Sequence, residues 1–138
     1  MPIKLKNKIF HIQNPFMMAF QQLSATDLPG VIVLKINKIG KAINAELKSV
    51  QETMKALDDR YQPDRILPED STDEDKAKLL LDQEAHHKEL TAIGDEEFEI
   101  DFDKVMLPIT AWSKDPVLKD ILFKNSTLAA LEDILEVD

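Results

Sequence analysis

A chain of 138 residues with 43% apolar and 31% charged side chains has the composition of one folded domain, not of a disordered segment. The absence of cysteine excludes a disulfide framework, a thiol nucleophile and a thiolate metal site. Three glycines are too few for a sandwich or barrel of many short strands and tight turns. The net charge of −9 is segregated. Residues 1–48 carry seven lysines against Asp27 and Glu46, a balance of +5, and residues 49–138 carry ten basic groups against 24 acidic ones, a balance of −14. Such asymmetry can steer a partner or drive head-to-tail self-association, or simply keep a small protein in solution.

Ile3 and Leu5 alternate with Lys4 and Lys6, the period-two pattern of a half-buried strand. Asn7-Lys8 marks a turn before Ile9, Phe10 and Ile12. Asn14-Pro15 is a helix start, and Phe16, Met17, Phe20 and Leu23 give a short helix that ends near Ala25. From about Pro29 to Tyr61 the pattern is the strongest in the chain. Ile32, Ile36, Ile39, Ile43, Leu47, Val50, Met54, Leu57 and Tyr61 form an apolar stripe close to a heptad repeat. Gly40 interrupts it and suggests close approach by another backbone. Gln62-Pro63 ends it.

Ser71 or Thr72 caps a second helix, from about Asp73 to Ala92, with Asp73, Glu74 and Asp75 suited to its dipole. Its expected inward residues are Ala77, Leu80, Leu81, Ala85, His87 or Lys88, and Thr91 or Ala92. Gly94 is a stop signal. Phe98, Ile100 and Phe102 then alternate with Glu97, Glu99, Asp101 and Asp103, and this acidic strand is expected to pair with the lysine-bearing first one. Asp115-Pro116 opens a short helix through Leu122. Asn125 or Ser126 caps a last helix with Leu128, Leu131 and Ile134 or Leu135 inward.

The expectation is an α+β fold in a single domain, residues 1–138. Residues 1–28 supply a strand and a short helix, and 29–94 a long antiparallel helical hairpin. Residues 95–138 add a strand, completing a small two- or three-stranded antiparallel sheet, and short C-terminal closing helices.

No arrangement of residues calls for catalysis or a cofactor. Glu84 and His87 form a single Glu-x-x-His pair, whereas a di-metal bundle needs two such pairs and further glutamates. Glu69, Asp70, Asp73, Glu74 and Asp75 lack the fixed spacing and glycine of an EF-hand loop. Glu97, Glu99, Asp101 and Asp103 share one strand face, so they lack the contrasting environments that acid–base carboxylates need. Lys35, Lys38, Lys41 and Lys48 place positive charge at the start of the long helix and are the candidate partner-binding residues. A nucleic-acid surface would have a broader basic field with arginine, and Arg60 and Arg65 both lie in the acidic part.

No apolar run approaches the roughly 20 residues needed to cross a bilayer. The start, MPIKLKNKIF, lacks the apolar stretch and cleavage site of a signal peptide. A cytoplasmic protein is expected.

The layout resembles that of small tailed-phage proteins, including the phage domain-of-unknown-function family numbered 1617 and its neighbours. The likeness is carried by a short strand and helix, then LPGVIVLKINKIGKAINAELKSVQETMKALDDRY, an acidic helix, DEEFEIDFDKVMLP and a closing STLAALEDILEV. The resemblance implies a phage or prophage origin, hence a host-cell cytoplasmic setting, and brings no activity or site with it. The expected role is therefore a non-enzymatic interaction protein that binds a host or phage protein through its hairpin surface. Alternatives are a virion or assembly component acting as a homo-oligomer, and an acidic nucleic-acid mimic.

Overall fold

The structure, a computed structural model, describes residues 2–120 and 123–138. Strand β1 (Ile3–Lys6) buries Ile3 and Leu5 and leaves its lysines in solvent. A 3-10 turn, Asn7–Phe10, follows and leads to helix α1 (Phe16–Ser24), whose first turn is anchored where Asn14 Oδ1 accepts the Phe16 N–H at 3.0 Å. Helix α2 (Gly30–Tyr61) has 32 residues and is about 48 Å long at 1.5 Å per residue. Helix α3 (Asp73–Asp95) begins with a capping box: Thr72 Oγ1 accepts the Asp75 N–H at 3.1 Å, and Asp75 Oδ2 accepts that of Thr72 at 3.2 Å. It returns antiparallel along α2, as the hairpin pattern predicts.

Strand β2 (Glu97–Ile100) pairs antiparallel with β1, and the register sets Lys4 opposite Glu99 and Lys6 opposite Glu97. Opposed charges of this kind favour one register by a few tenths of a kcal/mol each. The expected charge-matched pairing is therefore present. The strand stops at Ile100, however, and Phe102 is 42% exposed.

Beyond this point the chain forms short closing helices, as expected, but with other bounds and with two further strands. Strand β3 (Val105–Leu107) leads into a single turn of helix, α4 (Ile109–Trp112). Residues 115–120 form turns around Asp115, whose Oδ1 accepts the Val117 N–H at 2.8 Å and the Leu118 N–H at 3.2 Å. The helix expected here to run to Leu122 is thus not formed through Asp120, and its expected end lies outside the described residues. Helix α5 (Asn125–Ala130) ends early, and β4 (Leu135–Val137) pairs parallel with β3, Val105 opposite Leu135. Ile134 and Leu135 are buried as expected, but at a turn and a strand start, not on a helix.

One cluster gathers these elements. Leu23, Ile39, Ile43, Leu107 and Leu131 lie at its centre with no more than 1% exposure, joined by Ile3, Leu5, Ile100 and Trp112. Thr127 Oγ1 donates to Gln22 Oε1 at 2.8 Å and ties α5 to α1. The core takes Ile36, Ile39 and Ile43 from the first half of α2, whereas α3 has no buried residue. The hairpin therefore has one end set in the core and the other standing clear of it.

Candidate functional site

The stripe on α2 faces inward as its spacing requires, with Ile36, Ile39, Ile43, Val50 and Leu57 buried, although Met54 is 39% exposed. Gly40 admits the Phe20 ring, not a backbone: a Cβ there would lie 3.4 Å from that ring. Phe20 stacks on Phe16, centroids 6.3 Å apart, so α1 is laid against α2 by aromatic surface at the one position of this stretch that has no side chain.

This close approach creates a groove of about 480 Å³ between the two helices. Phe20 and Ser24 of α1 and Leu34, Ile36, Lys38 and Lys41 of α2 line it. Its floor is apolar and one rim is basic. Lys35, Lys38, Lys41 and Lys48 are all exposed, and among the described residues none has an ion-pair partner. Two of the four candidate lysines, Lys38 and Lys41, are brought to the groove. Lys35 and Lys48 remain outside it, Lys48 two turns further along the helix from Lys41. Val31 and Leu34, 67% and 54% exposed, extend the surface with apolar area.

The far end of the hairpin differs from expectation. Leu79, Asp82, Ala85, His86, Glu89, Leu90 and Ile93 of α3 are partly buried, so Ala85 faces inward as expected, while Ala77, Leu80, Leu81, His87, Lys88, Thr91 and Ala92 are exposed. The physical reason is polar. Arg65 bonds the Tyr61 carbonyl at 2.8 Å and Asp82 at 3.0 Å, closing the end of α2 and reaching α3 with one side chain. His86 Nε2 lies 2.6 Å from Asp58 Oδ1, and its ring meets Tyr61 edge-on with centroids 6.2 Å apart. Gln83 donates to the Pro63 carbonyl at 2.9 Å. The Tyr61 phenol has its pKa raised above the ordinary value, first by the neighbouring Glu89 carboxylate and then by desolvation. These partners select a helix face that hydrophobicity alone does not mark.

Glu84 and His87 do not converge. Both are exposed, and His87 lines a separate cleft of about 350 Å³ with Phe10, Val50, Met54 and Leu90, which Glu84 does not reach. His11 and Asp95 also border that cleft, but no hydrogen bond links them to His87. Among the described residues, no group of three or more His, Asp or Glu side chains is placed to hold a metal ion, and no helix is long and apolar enough to cross a membrane.

Comparison with protein-family models, with curated proteins and with solved structures finds no match for this chain.

Proposed function

We propose that this chain is a non-enzymatic binding protein that takes up a protein partner in the groove between α1 and α2. The observation that carries the reading is the pairing of an apolar lining, Phe20, Leu34 and Ile36, with Lys38 and Lys41, which are exposed and without an ion-pair partner among the described residues. An apolar floor with a rim of one sign suits an acidic amphipathic segment, the apolar contact giving affinity and the charges orientation. The absence of arginine from this face and the surplus of acid elsewhere favour protein over nucleic acid. The resemblance of the layout to that of small tailed-phage proteins supports a phage-encoded origin, and with it a host or phage protein as partner in the host-cell cytoplasm.

Affinity capture with mass spectrometry tests this, using the chain as bait with and without Lys35→Glu, Lys38→Glu and Lys41→Glu together. A partner recovered by the unaltered chain should be depleted at least roughly tenfold by the triple variant. Equal recovery by both baits would remove the groove from the binding role.

A further inference from the structure

The two ends of the hairpin carry surfaces of opposite sign and similar apolar content. Around the groove, no acidic residue occurs between Asp27 and Glu46, and Val31 and Leu34 stand exposed beside Lys35, Lys38 and Lys41. On α3, Leu80 and Leu81 are 62% and 65% exposed, because the hairpin seam uses Leu79 and Asp82 in their place. Helical spacing sets Asp73, Glu74, Ala77 and Glu84 on the same side as the two leucines, with Lys88 the one cation among them. The segment from Glu69 to Glu84 holds seven acidic residues against Lys76 and Lys78. One molecule cannot bring these surfaces together. Asp82 is held by Arg65 just past the end of α2, whereas Lys38 lies near that helix's start, about 35 Å away along the axis.

We infer that the occupant of the groove is a second copy of this chain, which lays Leu80 and Leu81 of α3 on Phe20 and Leu34 and sets Glu74 and Glu84 against Lys38 and Lys41. The inference rests on the binding role of the groove and names its partner. Charge complementarity and apolar matching both select this pairing: groove against groove would oppose lysines, and α3 against α3 would oppose carboxylates. The contact joins unlike surfaces, so an assembly that has not closed on itself always keeps one groove and one α3 face free. Association of this kind propagates into rings or open chains instead of stopping at a two-fold dimer. The overall charge of −9 repels copies at longer range, so the assembly grows with concentration and dissolves on dilution.

Sedimentation velocity and multi-angle light scattering over a concentration series test the inference, with circular dichroism to verify that each variant is folded. The unaltered chain should exceed its monomer mass of 15.7 kDa progressively as concentration rises. Lys38→Glu with Lys41→Glu should weaken association at least roughly tenfold, and Glu74→Lys with Glu84→Lys should do the same. An equimolar mixture of the two double variants should associate again, because each supplies the charge the other now lacks. A chain that is monomeric at every concentration, or assemblies indifferent to both variants, or a mixture that fails to associate, would overturn the inference. A monomeric chain that still loses a captured partner on Lys→Glu substitution would sink the self-association alone and leave the groove's binding role standing.

Discussion

Gln62 is the one residue outside glycine with positive φ among those described, at 43°, and it ends α2 with its N–H bonded to the Asp58 carbonyl at 2.8 Å. A left-handed conformation at this position costs a residue with a Cβ roughly 1 kcal/mol, which glycine avoids. Gln62→Gly should therefore raise unfolding free energy by about 0.5–1 kcal/mol, read from urea denaturation with an unchanged slope. A loss of stability would show that the glutamine side chain contributes something the backbone argument omits. Pro63 makes the termination legible from sequence, since helix cannot continue through it. The clasp by Arg65 is not legible, because nothing in its neighbours marks an arginine that will bond a helix-end carbonyl and Asp82 on the next helix at once.

Among the elements, α2 was readable because its stripe repeats over four heptads and the core accepts it. The adjacent α3 was readable as a helix but not in its facing. Leu79, Leu80 and Leu81 are consecutive, so hydrophobicity leaves open which of the three points inward, and the contacts of Asp82 with Arg65 and of His86 with Asp58 settle it across the seam. The groove was half legible: the lysines are visible in the sequence, but the ring of Phe20 that builds the opposite wall is brought by the tertiary fold. The same seam has a titration signature. Tyr61 is the only tyrosine in the chain, so phenolate absorbance reports it alone. Its ionisation should be centred above pH 10 and fall toward the ordinary value in Glu89→Gln. With the folded-state pKa raised, the stability that Tyr61 contributes through this shift is complete below the ordinary tyrosine pKa and is lost as pH rises through the higher folded-state value. A Tyr61 titration unchanged by Glu89→Gln would refute the contact.

At the scale of the whole molecule, stability is unevenly distributed. The buried cluster occupies the end containing α1, the first half of α2 and the strands, whereas the distal hairpin is held by Leu57 and a handful of polar contacts. Amide hydrogen exchange should accordingly be slowest around Ile39 and Ile43 and at least roughly tenfold faster from Leu57 through Leu81, including the loop between the helices. Uniform protection along α2 would show that the hairpin and the core open as one unit. The parallel pairing of β3 and β4 explains why the C-terminal third was the least readable: three-residue strands carry no period, and their partners lie 30 residues apart.

The pairing of β1 with β2 also constrains how the molecule reaches this state. Ile3 and Ile100 are opposite each other in the sheet and 97 residues apart in the chain. Closing so large a loop in a flexible chain forfeits several kcal/mol of conformational freedom before any strand contact compensates for it. The hairpin shortens the path, because once α3 has folded back along α2 the intervening polypeptide is already doubled over, and the chain enters β2 beside the middle of α2, near Glu46 and Val50. Helix formation and docking on the microsecond scale can therefore precede sheet closure. The same long arm that stands clear of the core in the finished protein acts, during folding, as the brace that brings its two most distant strands within reach.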